Sequence, residues 1–243
     1  MRDNKKIAAI VLAGGRGSRM GSDIPKQYMN VNGRPLIYYS LRTFEDSFVD
    51  KIVLVCGAGD EEYCKRELVE KYELTKVSTI VSGGKERYNS VANGLNALDD
   101  IDIVFIHDGA RPCITHDILK KTYQDAVEYH ASVVGVPSKD TIKVADGDGF
   151  SKETPDRSLL WLIQTPQTFD FTEIKNAYLD LLNKEEELFA QGIKVTDDAM
   201  VMELFGKYKV KLTMGDYRNI KVTTPEDMTV VARYLEEIER NGV

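Results

Sequence analysis

Five short runs rich in Val and Ile recur along the first 136 residues, separated by longer amphipathic stretches. That alternation predicts strands covered on both faces by crossover helices, and so an α/β fold with a mainly parallel sheet. The predicted strands are Ile7–Leu12, Lys51–Cys56, Val77–Val81, Asp102–His107 and Ser132–Val136. Predicted helices over Pro35–Phe44, Asp60–Tyr72 and Thr115–His130 fill the gaps, the first opened by a proline and the last by a threonine cap. Further on, helices are predicted over Phe171–Ala190 and Thr196–Phe205, a strand near Tyr208–Leu212 and a final helix after Pro225.

The pattern breaks between Pro137 and Leu160. TIKV leads into ADGDG, a polar stretch and then SLLWLIQ, with no helical period. The Asp-Gly turns suggest a hairpin-like arm inserted at about 137–160 in an otherwise single domain. An arm with alternating apolar residues and no core of its own needs a partner, and a second copy of the chain is the simplest one, so a homodimer is expected.

The chain has 243 residues, 32 basic and 39 acidic, for a formal charge of −7. An acidic surplus argues against a general nucleic-acid binder, while leaving room for a local basic site for a phosphorylated small molecule. Cys56, Cys64 and Cys113 form no C-x-x-C pair, which supports neither a disulfide framework nor a structural zinc site and points to the reducing cytoplasm. The start, MRDNKK followed by IAAIVLA, imitates a signal peptide, but its apolar run stops at Gly14 and Arg16 and Arg19 follow, so export is not expected. No stretch approaches the roughly 20 apolar residues of a membrane span. No fused second enzyme is expected after the last helix.

Three segments carry candidate chemistry. Where the first strand ends, Ala13, Gly14, Gly15 and Gly17 let the backbone approach a ligand, and Arg16, Arg19 and Lys26 surround it with positive charge. The dinucleotide fingerprint would need glycine where Met20 stands, and the Gly-Lys-Ser/Thr ending of a P-loop is absent. A tight strand-to-helix turn with solvated arginines is the bland alternative; three cations around one loop repel one another unless an anion joins them. In VFIHDGARP, Asp108 follows a strand directly. Mg²⁺ takes one or two carboxylates plus substrate phosphates, which makes Asp108 the metal candidate, against a turn aspartate paired with Arg111. His107, remote in sequence from His116 and His130, is expected to pack at the strand end. In SGGKERYNSVANGL, Gly83 and Gly84 leave another strand and Arg87, Ser90 and Asn93 follow, with hydroxyl and amide groups suited to a base or ribose.

Seven segments stand in one order: LAGGRGSRMGSDIPKQY, GGKERYNSVANGL, IHDGARP, VPSKDTIK, TPDRSLLWLIQTPQTF, TDDAMVMELFG and NIKVTTPEDM. With these the chain resembles the 2-C-methyl-D-erythritol 4-phosphate cytidylyltransferase family from Ile7 to about Tyr234. The resemblance implies a Rossmann-like nucleotidyltransferase domain with a dimerising β-arm. It implies transfer of CMP from CTP to a methylerythritol phosphate in the non-mevalonate isoprenoid pathway, with Mg²⁺. Leu12, Ala13, Gly14, Gly15, Gly83, Gly84 and Ser90 would hold the cytidine, Arg19 and Lys26 the triphosphate, and Asp108 the metal, with Arg111 beside it. Thr141 and Arg157 on the arm would bind the sugar phosphate of the other subunit. Thr196 and Lys221 would complete the site, Lys221 near the reacting phosphates.

Ala13-Gly14-Gly15 stands where the family more often has Ala-Ala-Gly, and it also suits ribitol 5-phosphate cytidylyltransferases, the competing enzyme reading. Lys85 and Arg218 occupy places where some members carry an acid, so neither supplies a carboxylate. Asp140-Thr141-Ile142-Lys143 and Arg157 look like the methylerythritol enzyme. A nucleotide-binding module without turnover is the reading from a different class.

Overall fold

The structure, a computed structural model, describes residues 4–15 and 24–241. Its strands are β1 (Ile7–Ala13), β2 (Asn30–Val31), β3 (Arg34–Pro35), β4 (Lys51–Cys56), β5 (Val77–Ser82), β6 (Ile103–Asp108), β7 (Ala131–Pro137), β8 (Val144–Ala145), β9 (Ser151–Glu153), β10 (Trp161–Asp170) and β11 (Lys211–Met214). Its helices are α1 (Leu36–Glu45), α2 (Glu61–Tyr63), α3 (Arg87–Asn96), α4 (His116–Tyr129), α5 (Phe171–Asn183), α6 (Glu185–Ala190), α7 (Asp198–Phe205) and α8 (Pro225–Asn241).

Seven strands form one sheet in the order β11-β7-β10-β6-β1-β4-β5. β10 runs antiparallel to both β6 and β7, and the other pairings are parallel, so the sheet is mainly parallel as expected. Successive residues of a strand face opposite sides. Ala8 and Ile10 of β1 therefore join Val53, Val55, Val104 and Ile106 beneath α3, α5 and α7. Ile7, Ala9 and Val11 join Leu54 and Phe105 against Ile37, Leu41 and Phe44 of α1 and Leu119 of α4. Burial on both faces explains why these strands read as continuous apolar runs. A smaller cluster, Leu36, Tyr39, Cys113, Val222, Val231 and Leu235, docks α8 onto the edge of α1.

The five predicted strands are present, each within one residue at either end. The Thr115 cap is also present, its hydroxyl accepting from the Ile118 amide. Over Asp60–Tyr72 the chain makes only α2 before widening into a π-helix from Cys64 to Glu70, where the Lys71 amide reaches back to the Arg66 carbonyl. The helix predicted over Phe171–Ala190 breaks at Lys184 into α5 and α6. The strand predicted near Tyr208–Leu212 lies at Lys211–Met214, because its inward residue is a threonine: Thr213 is buried and meets the Ser132 hydroxyl at 2.6 Å.

β10 is the element that the sequence pattern hides. Its run WLIQTPQTFD carries Pro166 and buried polar residues where a central strand ordinarily shows Val and Ile. The register with β7 shifts between Ile163 and Gln167, around that proline. Each polar side chain has a partner: Gln164 donates to the Asp216 carbonyl at 2.9 Å and Gln167 to Asp197 at 2.9 Å, and the Thr122 hydroxyl donates to Thr168 at 3.1 Å. β7 and β10 are thus the two legs of a long hairpin whose tip, with β8 paired to β9, is the predicted arm. Phe150 and Leu159 on the arm are 73% and 77% exposed. Among the described residues, no helix is long and apolar enough to cross a membrane.

Candidate active site

The register aligns the carboxyl ends of four strands. Leu12 pairs with Asp108, Ala13 with Cys56 and Cys56 with Ser82, so the segments leaving β1, β4, β5 and β6 meet at one edge. The chain order reverses at β1, and such a switch point opens a crevice beyond the carboxyl ends of the strands. A cavity of about 560 Å³ lies there. Its backbone wall is Leu12, Ala13, Gly14 and Gly15; Gly84, Lys85, Glu86, Arg87 and Ser90 form the second wall, and Lys26, Asp108 and Lys221 supply charge.

Gly84 is required by packing: a Cβ there would come within 2.4 Å of the Asn89 Cβ. The Gly84 amide donates to the Ser90 hydroxyl at 3.0 Å, and the Gly83 amide to the Cys56 carbonyl at 2.7 Å, which fixes this loop to the end of β4. Gly83 therefore stands behind the cavity wall and Ser90 in it. Among the described residues, none comes within 4 Å of where a Cβ on Gly15 would project. Gln27 anchors the returning chain by donating to the Ala13 carbonyl. Lys26 Nζ donates to the Val222 carbonyl at 2.8 Å, next to Lys221.

Asp108 is the electrostatic centre. Lys221 Nζ lies 2.6 Å from its Oδ2 and Arg87 Nε 3.3 Å from its Oδ1. Burial by itself raises a carboxyl, but Arg87, Lys221 and Arg111 outweigh it and hold Asp108 well below the ordinary carboxylate range. Arg87 makes a bidentate pair with the fully buried Asp198, both bonds 2.8 Å, and Tyr178 donates to the same carboxylate at 2.5 Å. His107 is fully buried and packed, as expected. Its Nδ1 faces the Thr165 hydroxyl at 3.0 Å, that hydroxyl accepts the Asp108 amide at 3.1 Å, and its Nε2 faces the Arg111 carbonyl. Arg111 is turned from the cavity: its guanidinium donates to the Asn219 carbonyl at 2.8 Å and the Ile163 carbonyl at 3.2 Å. Burial and the like charge of Arg87 lower its pKa.

Among the described residues no cluster of three or more His, Cys, Asp or Glu side chains is arranged to hold a metal ion. A cation here would rest on Asp108 and on oxygens brought by the substrate, which is the donor set Mg²⁺ accepts. A carboxylate has about four lone-pair sites and its two cations leave some of them open, so the residues present fit the ion.

Of the residues expected at the site, Leu12, Ala13, Gly14, Gly15, Lys26, Gly84, Ser90, Asp108 and Lys221 line one cavity. Arg19 lies outside the described residues. Thr141 and Arg157 are exposed on the arm, where Arg157 donates to the Lys139 carbonyl at 3.2 Å, and neither lines the cavity of its own chain. Thr196 opens onto a separate recess with Ile163, Met200 and Leu212, because Asp197 caps α7 and is held by Gln167. Arg218, which supplies no carboxylate, pairs with Asp216 at 2.6 Å. Sequence reasoning gave no role to Asp198 and none in particular to Arg87. The available signal was a pair of acids in TDDAM and an arginine opening the helix after a double glycine.

A family model described as 2-C-methyl-D-erythritol 4-phosphate cytidylyltransferase matches residues 7–237. A protein of that name from Lachnospira eligens is 50% identical over 229 residues, covering 94% of this chain and 98% of the relative. One from Lachnoclostridium phytofermentans is 44% identical over 233 residues, covering 96% and 97%. Among solved structures, the 4-diphosphocytidyl-2C-methyl-D-erythritol synthase from Anaerococcus prevotii superposes with a TM-score of 0.79 at 35% identity, covering 96% of this chain and all of that one.

Proposed function

Since the chain belongs to the 2-C-methyl-D-erythritol 4-phosphate cytidylyltransferase family, we infer that it transfers CMP from CTP to 2-C-methyl-D-erythritol 4-phosphate. The products are 4-diphosphocytidyl-2-C-methyl-D-erythritol and pyrophosphate, a step of the non-mevalonate isoprenoid pathway. The observation that carries this reading is the cavity at the switch point, where two glycine-bearing loops face Lys26, Lys221 and Asp108.

The acceptor phosphate attacks the α-phosphate of CTP in line and pyrophosphate leaves. Both reactants are anions, so the barrier is one of repulsion and alignment. Lys26 and Lys221 neutralise charge on the triphosphate and on the attacking oxygen, and Arg19 belongs to the same role by its place in the motif. The glycine loops admit the nucleotide close to the backbone, with Ser90 and the amides near it as hydrogen-bonding partners. An ionised phosphate needs no general base, and no covalent enzyme intermediate is required. Asp108, together with phosphate oxygens of the substrate, would hold Mg²⁺, which would supply further neutralisation of the triphosphate.

The arm makes the protein a homodimer in this reading, and Thr141 and Arg157 serve the acceptor in the partner's cavity, with Thr196 and Arg111 on the acceptor side. Exposed Phe150 and Leu159 support that role. Three free, buried cysteines support a cytoplasmic enzyme, and the charge of −7 supports small phosphorylated substrates over nucleic acid.

The test is pyrophosphate release from CTP with methylerythritol phosphate, ribitol 5-phosphate or no acceptor, each with Mg²⁺ and with EDTA. Release with the first acceptor and Mg²⁺ is expected. Release mainly with ribitol 5-phosphate moves the function to polyol activation, and CTP binding without release makes the chain a binding module.

A further inference from the structure

We propose that Asp198 is a positioning residue for this reaction, acting through Arg87 on Asp108. The proposal rests on the cytidylyl-transfer reading above. Asp198 is fully buried at the start of α7, 111 residues from Arg87 in the chain, yet its carboxylate takes both terminal nitrogens of that guanidinium at 2.8 Å. The Tyr178 hydroxyl of α5 donates to the same carboxylate, at the oxygen that also accepts from one Arg87 terminal nitrogen. Only Arg87 Nε is left toward Asp108, at 3.3 Å. The result is a row of alternating charges, Asp198, Arg87, Asp108, Lys221, of which only Asp198 is fully buried.

Stability alone does not account for a buried pair of this kind, because apolar residues of similar volume are often as stable or more so. Its geometric effect is specific. A bidentate carboxylate locks the plane of the guanidinium, so Arg87 cannot swing its terminal nitrogens onto a phosphate in the cavity it lines or onto both oxygens of Asp108. Asp108 keeps Oδ2 for Lys221 and its remaining lone pairs for the substrate side. Asp198 also follows directly on Asp197, which caps α7 and binds Gln167, so the segment carrying Thr196 is tied to the nucleotide cavity by the same two residues.

Once the Asp198 charge is gone, Arg87 turns toward Asp108 and the triphosphate. CTP is still bound but misaligned. In the full-length protein, Asp198→Asn is therefore expected to lower kcat by about tenfold or more while the KM for CTP stays within about threefold, the signature of an interaction that matters in the transition state. Calorimetric CTP affinity without acceptor is unchanged or tighter. Tyr178→Phe keeps the ring and removes one bond to Asp198; it is expected to lower kcat by about threefold, without weakening CTP binding. In the double variant the two losses do not multiply, because both act through one carboxylate. Urea unfolding on the same samples gives the folded fraction. If kcat per folded molecule matches wild type in Tyr178→Phe, or in Asp198→Asn where that variant folds, or if the losses multiply, the positioning role is overturned. Wild type run in parallel separates the two failures: no pyrophosphate release by wild type overturns the parent reading together with this one, whereas active wild type with unaltered variants overturns this one alone.

Discussion

Lys221 Nζ stands 2.6 Å from Asp108 Oδ2 although 113 residues separate the two in the chain. The contact is made by docking the segment after β11 across the end of β6, with the Val222 amide on the Ala110 carbonyl at 2.9 Å and Lys26 on the Val222 carbonyl at 2.8 Å. A cation that is unremarkable in sequence thereby becomes one wall of the cavity at the switch point.

Lys26→Ala and Lys221→Ala are each expected to lower kcat by about 100-fold, the scale for removing one preorganised charge donor from a developing oxyanion. Steady-state pyrophosphate release checks this. An unchanged kcat in Lys26→Ala removes that residue from the mechanism.

Two glycines separate binding from folding. Gly84→Ala forces a Cβ against Asn89 and is expected to cost about 1–3 kcal/mol of stability by overpacking. Gly15→Ala meets no atom of the described residues within 4 Å, so its methyl projects into the cavity that Gly15 lines. It should unfold like wild type in urea while binding CTP more weakly by calorimetry; equal binding would remove Gly15 from the nucleotide wall.

Asp227 anchors the segment that carries Lys221 by accepting from the Thr223 amide at 2.8 Å, the Thr224 amide at 2.9 Å and the Thr223 hydroxyl at 2.9 Å. Burial acts to raise its pKa, but those backbone and hydroxyl donors outweigh it and lower the value. A carboxyl depressed in the folded state adds stability above its unfolded pKa, near 3.9, and loses it as pH falls below that. Asp227→Asn is expected to cost about 0.3–1 kcal/mol at pH 7, the scale for removing a negative charge from a helix N-terminus, with the gap to wild type narrowing below about pH 4. Urea titrations at both pH values measure it, and a gap independent of pH rejects the assignment.

The arm gives a test of assembly. Wild type is expected to sediment as a dimer, and a charged residue in place of the exposed Leu159 or Phe150 should shift it toward monomer. Arg157→Ala should raise the KM for the sugar phosphate with little change for CTP. Loss of acceptor binding in a dimer-deficient variant that retains Arg157 would support service across the interface; full activity as a monomer would refute it.

The strands β1, β4, β5, β6 and β7 were legible because each is buried on both faces, and hydrophobic burial leaves a continuous apolar run in the sequence. The glycine loop after β1 and the carboxylate closing β6 were legible for a related reason: parallel strands end at a common edge, so chemistry placed directly after an apolar run faces the crevice. Local signals also fixed the Thr115 cap and the turn-rich arm.

β10 was not legible, since its central residues Gln164, Thr165, Gln167 and Thr168 are satisfied by partners from His107, Thr122, Asp197 and Asp216, which no local pattern announces. The pairing of Asp108 with Lys221 and of Arg87 with Asp198 was likewise decided only in three dimensions. A side chain's charge is written in the sequence, but its partner and desolvation depend on which distant segments the sheet brings together. The sequence by itself determined the layers, the loops and the chemistry available at the strand ends; the tertiary structure decided which charges meet there, because ion pairing acts over a few ångströms of space and not along the chain.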